Sequence, residues 1–411
     1  DWQDILTRLA PQQKYNLSIS HGSDNYNGFY SIGYSNEKGI VKETGFERIN
    51  SRANMDFKPN DFINMGMNLN LSLKSWDKIS NSTSGWRSST YGRGIIATPL
   101  DGPYKDEGAF ENEKYFDGKW DLDITSAGEA WHLKNPLYAL KKETDLNRQL
   151  DVFIQPFLQF HFLKDFSFRS KLNMALGVGD HERFIPSTVS RDRGSPPPSP
   201  TYGAYSTNRN FNWQFRNTLR YEKDFENHSI KALFGYNREH YSSYSSDINS
   251  QHYPSDIVET LNVPTQTQGN TFETNWSLIS YMFRLNYDYK TKYLFTGTLR
   301  RDGSSRFGKN NRWGYFPSVS VGWNITKESF FPNPQWLTNL KLRASYGFSG
   351  NNNIGNYTWL PTVSDANYIF GESVKSGKIL SRMGNFNLSW ERSREFDTGL
   401  DLTLYKGKLN F

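Results

Sequence analysis

The feature that most limits the fold of this 411-residue chain is an alternation of apolar and polar residues with a period of two. It is clearest at Ile63, Met65, Met67, Leu69, Leu71 and Leu73, which alternate with Asn64, Gly66, Asn68, Asn70, Ser72 and Lys74. An extended chain turns successive side chains to opposite faces, so this run predicts a strand with one apolar and one polar face. The same grammar returns at Val319, Val321, Trp323 and Ile325 against Ser318, Ser320, Gly322 and Asn324. It recurs from Tyr15, Phe166, Phe211, Tyr281 and Leu340 onward, and predicts about fourteen strands in all. Ahead of them, residues 1–12 predict a short helix, with Trp2, Ile5, Leu6 and Leu9 on one side and Pro11 ending it.

The connections fall into two classes. Those at 58–61, 164–165, 224–228, 290–292 and 405–408 are short, whereas 75–147, 179–208, 242–272 and 350–390 are long. Short and long alternate along the chain from the third strand, with 302–312 and 327–337 intermediate. In an up-and-down meander, alternate connections lie on the same edge. One edge therefore carries tight turns and the other large loops. With strands of roughly ten residues, this asymmetry predicts an all-β fold: an antiparallel up-and-down transmembrane β-barrel. In lipid such a sheet must close to satisfy its backbone. Tyr221, Tyr287, Tyr289, Tyr293, Trp323 and Tyr405 near strand ends fit an interfacial aromatic girdle. The alternative is a large soluble β-protein whose apolar faces pack together, but sandwiches and propellers seldom gather their long loops on one edge.

Composition narrows the function. Aromatics reach 16% while mean hydropathy is −0.74, which suits sheets with one wet face. No apolar run is long enough for a membrane-spanning helix. The absence of Cys excludes disulfides, thiolate ligands and cysteine nucleophiles. The seven His are scattered, so no metal site is expected. There is no nucleophile elbow, phosphate loop or triad, and hence no catalytic residue or cofactor is predicted. The net charge of +6 is spread along the chain, which does not favour nucleic acid. Position 1 is Asp and the chain stops at Phe411 just after a turn, so a fragment of a longer polypeptide is expected.

Four stretches carry a specific resemblance. They are DWQDILTRLAPQQKYNLSISHGS (1–23), RRDGSSRFGKNNRWGYFPSVSVGWNITKESFF (300–331), LKLRASYGFSGNNNIGNY (340–357) and NLSWERSREFDTGLDLTLYKGKL (387–409). Together they resemble the SusC/RagA family of TonB-dependent outer-membrane transporters of the Bacteroidetes. The resemblance implies a 22-stranded barrel with a plug, a size class whose lumen is normally filled. Residues 1–411 are then expected to be a partial barrel domain, with the plug domain and the closing strands absent and the four long connections extracellular. It also implies a cell outer membrane location, a SusD-like surface lipoprotein as lid, energy from the TonB complex, and oligosaccharide or peptide cargo. The alternatives are a non-transporting adhesive or structural outer-membrane barrel and a secreted glycan-binding β-protein.

Candidate binding residues follow from this frame. Loop aromatics Trp86, Tyr91, Trp131, Tyr357 and Trp359 are positioned to stack on cargo, to pack the loops or to meet the lid. Arg48, Arg52, Arg169, Lys171, Arg216, Arg220, Arg284 and Arg343 are expected to face the lumen. There they would line a path for acidic cargo or, as is favoured, bond carboxylates of the plug or of Asp56, Asp288 and Asp397. The stretch from Arg300 to Arg306 is expected to be a structural turn with Gly303 at positive φ and charges paired across neighbouring loops. The acidic stretch 101–123 lacks the spacing of a Ca²⁺ loop and reads as solvated.

Overall fold

The computed structural model describes residues 1–77, 136–189, 200–332 and 334–411. Its chain runs β1 (Gln12–Gly22), β2 (Tyr26–Lys38), β3 (Gly45–Asn60), β4 (Ile63–Asp77), β5 (Thr144–Phe162), β6 (Phe166–Ile185), β7 (Tyr202–Phe225) and β8 (His228–Gln251). It continues through β9 (Gln266–Tyr289), β10 (Tyr293–Ser304), β11 (Trp313–Asn324), β12 (Leu337–Asn351), β13 (Thr362–Phe370), β14 (Ser373–Arg382), β15 (Glu391–Leu404) and β16 (Leu409–Asn410). Fourteen of these form one sheet in chain order, β1 to β12 followed by β15 and β16, and β13 with β14 makes a separate hairpin. Every pairing between neighbours is antiparallel, as a meander requires. Among the described residues no helix is long and apolar enough to cross a membrane.

The connections sort by edge. One edge carries 23–25, 61–62, 163–165, 226–227, 290–292, 325–336 and 405–408. The other carries 39–44, 78–143, 186–201, 252–265, 305–312 and 352–390. On the tight edge, consecutive residues take positive φ at Leu163 and Lys164, at Lys290 and Thr291, and at Tyr405 and Lys406. A type I′ turn needs this pair of left-handed residues, and its twist matches that of the strands it joins.

Two of the expected long connections shrink. The stretch 179–208 reduces to 186–201 and 242–272 to 252–265, because β6 to β9 run on past the apolar alternation. There the side chains are polar on both faces, as in Ser242, Ser243, Ser245 and Ser246, so no period marks the strand. β7, β8 and β9 reach 24 residues each. The connection 350–390 holds the β13–β14 hairpin, and what is described of 75–147 adds a helix, α2 (Pro136–Lys142).

A helix, α1 (Trp2–Leu6), starts the chain, with the Asp1 carboxylate accepting from the Gln3 amide. It ends before Leu9, which is 96% exposed rather than on the apolar side with Trp2 and Leu6. Trp2 and Leu6 instead pack with Leu137 and Leu140 of α2, against Val41. Among the described residues the other buried hydrophobic side chains are few and, apart from Leu337 at the tight edge, lie toward the long-connection edge. The sheet itself has no apolar core: Leu17, Ile32, Leu73, Phe283, Leu299, Val321 and Leu400 are all exposed. A soluble protein would cover such a face, whereas a lipid-facing wall leaves it bare.

Candidate functional site

On the opposite face the polar residues bond to one another. With its amide oriented to satisfy both neighbours, Asn54 accepts from Arg52 Nε at 3.1 Å and donates to Asn68 Oδ1 at 3.2 Å. Asn68 donates to Gln155 at 3.1 Å, Gln155 to Asn173 at 2.6 Å, and Asn173 to Gln214 at 2.9 Å. Arg216 donates to the same Gln214 oxygen at 3.2 Å. The ladder spans β3 to β7 because the register sets Asn54 opposite Asn68, Asn68 opposite Gln155 and Asn173 opposite Gln214. Each amide is both donor and acceptor, so the run is satisfied amide to amide between an arginine at either end.

Registers place Arg48, Arg52, Arg169, Lys171, Arg216, Arg220, Arg284 and Arg343 on this polar face. They differ in their partners. Arg343 bonds Asp401 at 3.1 Å and shares it with Lys341 at 3.4 Å, in place of Asp397. Arg284 donates to Thr298 at 3.2 Å, and the Arg169 guanidinium lies 4.2 Å over the Phe157 ring. Lys171 stands directly opposite Arg216.

The long-connection edge is closed by a platform built from two connections, 305–312 and 352–390, and the adjoining ends of β9 and β11. Phe307 is 0% exposed and meets the Trp390 ring at 5.3 Å, and Phe316 meets the same ring edge-on at 5.3 Å. Trp390 Nε1 donates to the Arg312 carbonyl at 2.8 Å. Arg306 lies 4.9 Å over the Trp276 ring and donates to Asn356 Oδ1 at 3.0 Å and to the Asn352 carbonyl at 3.1 Å. Asn356 then donates to Thr274 at 2.6 Å. Tyr357, at φ 62°, places its hydroxyl 3.2 Å from Asn275 Oδ1. Trp359 packs edge-on against Phe386 at 5.9 Å. Trp86, Tyr91 and Trp131 lie outside the described residues.

Gly303 departs from expectation. It lies inside β10, opposite Trp313, and is not at positive φ. A Cβ there would meet the Trp313 ring at 2.8 Å, so the glycine is required by the close approach of an indole. The neighbouring charges pair within the strand, with Arg300 Nε 2.7 Å from the buried Asp302 carboxylate.

At the tight edge one carboxylate gathers a different set. Glu328 accepts from Tyr293 at 2.7 Å and from Trp323 Nε1 at 2.8 Å, and pairs with Lys292. The Lys292 hydrogen bond, followed by that of Tyr293, holds the Glu328 carboxyl below the usual carboxylate range. The same bond raises Lys292 above the usual lysine value.

Comparison with known proteins decides the family. The model of the TonB dependent receptor-like β-barrel matches residues 155–411. The chain belongs to the TonB-dependent receptor β-barrel family, and to its SusC/RagA type. It is 30% identical to TonB-dependent receptor P39 of Formosa agariphila, covering 100% of this chain and 37% of that protein. It is 28% identical to TonB-dependent receptor SusC of Bacteroides thetaiotaomicron, covering 100% and 41%. Superposed on the RagAB peptide importer in its "open-open" state, it gives a TM-score of 0.77 at 25% identity, covering 100% of this chain and 44% of that one. This receptor barrel thus spans less than half the length of each relative. Its family is one of receptors and transporters rather than enzymes.

Proposed function

We propose that this receptor barrel forms part of the wall and loops of a TonB-driven outer-membrane importer of oligosaccharides or peptides. The observation that carries it is the pairing of a bare apolar face with a hydrogen-bonded polar face across one fourteen-stranded sheet. The polar face lines the lumen, and its arginines and amides hydrate passing cargo without chemistry. The long-connection edge faces outside. There Tyr357 and Trp359 join the loops that meet cargo and a SusD-like lipoprotein lid. The tight edge faces the periplasm, where the TonB complex acts through the N-terminal part of the full-length protein. An exposed loop aromatic such as Tyr357 beside amide groups suits sugar cargo, and the peptide cargo named for RagAB is the competing case. Cells carrying the full-length gene, tested with labelled oligosaccharide and peptide pools, should accumulate one pool only while TonB is active. Uptake unchanged by deletion of the gene would sink this reading.

A further inference from the structure

The apolar face carries arginines where the wall leaves the membrane. Arg238, Arg301 and Arg392 share the face of Phe234, Leu299 and Leu400, as the registers of β8, β10 and β15 require. Each lies over an aromatic ring: Arg238 at 5.4 Å from Trp213, Arg301 at 4.1 Å from Trp313, Arg392 at 4.9 Å from Phe348. Arg301 also lies 5.4 Å from the Tyr315 ring. Their sequence neighbours Glu239, Asp302 and Glu391 are acidic, but alternation turns these to the polar face. Alternation therefore parts each of these arginines from its acidic sequence neighbour and leaves the three cations on the outer face. Among the described residues no carboxylate pairs with any of the three arginines. The Arg301 Nε is buried with no hydrogen-bond partner, so only the far edge of its guanidinium is available for bonding.

Height fixes what they meet. Arg301 is the ninth residue of β10 from Tyr293, and Arg238 the eleventh of β8 from His228. A tilted strand crosses the hydrocarbon in about 9–11 residues. Arg301 and Arg238 thus sit where a strand rising from the tight edge reaches the far interface, and Arg392, thirteenth from Leu404 in β15, lies just above it. Stacking on a ring holds the guanidinium flat and presents a forked donor edge at Arg238, which matches phosphate bidentately, while Arg301 offers its far edge and Arg392 also donates from Nη2 to the Tyr315 carbonyl at 3.5 Å. We propose that this arginine-over-aromatic belt is a binding site for the phosphate headgroups of lipids in the leaflet on the long-connection side. The inference rests on the orientation proposed above, which assigns that leaflet to the cell surface.

The test uses the full-length protein in phosphatidylethanolamine vesicles doped with bisphosphorylated lipid A or its dephosphorylated form. Co-purified lipid A is counted by native mass spectrometry. The wild type should retain the phosphorylated form, and R238Q/R301Q/R392Q should lose about a hundredfold in preference, at roughly 1 kcal/mol per arginine near a charged surface. Heat-modifiability on gels reports whether the triple variant folds. If it does not, the single R238Q, at an exposed side chain, should lose about fivefold by the same reckoning. Equal retention of both lipid forms overturns the proposal. So does displacement of lipid A by inorganic phosphate, which would mark a site for free anion, or capture of an acidic protein in place of lipid. Failure of the wild type to enter vesicles overturns the membrane reading itself, and is visible before any lipid is counted.

Discussion

The two ends of the β9–β12 wall are closed by opposite chemistry. At the tight edge a single carboxylate, Glu328, draws in a lysine, a tyrosine and a tryptophan. At the long-connection edge, among the described residues, no carboxylate takes part in the platform: Phe307, Phe316 and Trp390 interlock, and Arg306 is held by an indole, an amide and a carbonyl. The first closure depends on ionisation and the second on shape. At the tight edge one carboxylate fixes 325–336 against the 290–292 turn, whereas 305–312 and 352–390 must be tied to each other across long sequence gaps. Packing does this, since it acts over many contacts at once.

The largest effect should come from breaking the shape-dependent end. Phe307→Ala removes a fully enclosed ring and should cost about 3–5 kcal/mol. Protease nicking within 352–390 should rise, while the 325–336 connection stays resistant. Equal nicking at both ends would show that the two closures are one cooperative unit.

Next is the wall that joins the ends. Leu69→Arg puts a charge on the apolar face and should cost about 2–4 kcal/mol in mid-bilayer, seen as reduced membrane assembly. Asn68→Arg, one residue away on the polar face, should assemble nearly normally. Equal defects would contradict the facing of β4.

The smallest effect is the ionisable closure. The lowered carboxyl of Glu328 contributes stability that is full above the usual glutamate range and is lost as pH falls through its depressed value. The raised Lys292 contributes below the usual lysine value and loses its share as pH rises through the raised one. The closure is therefore constant across neutral pH and opens in acid. The Trp323 indole N–H resonance should shift as pH drops below the ordinary glutamate range, and Glu328→Gln should abolish that shift. A shift that persists in the variant would assign the titration to another group.

The sheet was legible where lipid imposes a pattern. Ile63 to Leu73 alternate because one face must be apolar, and the pairing of β3, β4 and β5 follows that alternation. Legibility stops where lipid does. In the upper parts of β7 and β8, Asn208 pairs with Ser245 and Asn210 with Ser243, and neither face tells the reader that a strand continues. The Gly303 reading failed for a different reason: glycine's freedom at a turn and its lack of a side chain beneath an indole look identical in sequence. The anchoring of Arg306 joins residues about 50 positions apart, through amides that a sequence reading would place in solvent.

The 24-residue strands have one more consequence. At about 3.3 Å per residue each measures about 80 Å, and even tilted it stands well above an apolar band of about 25 Å. A strand paired along both sides cannot telescope. The stand-off of the 252–265 connection from the bilayer is therefore set by counting residues, as a mast's height is set by its timbers. Shortening β8 and β9 together by two residues apiece would lower it one notch without altering which face meets lipid.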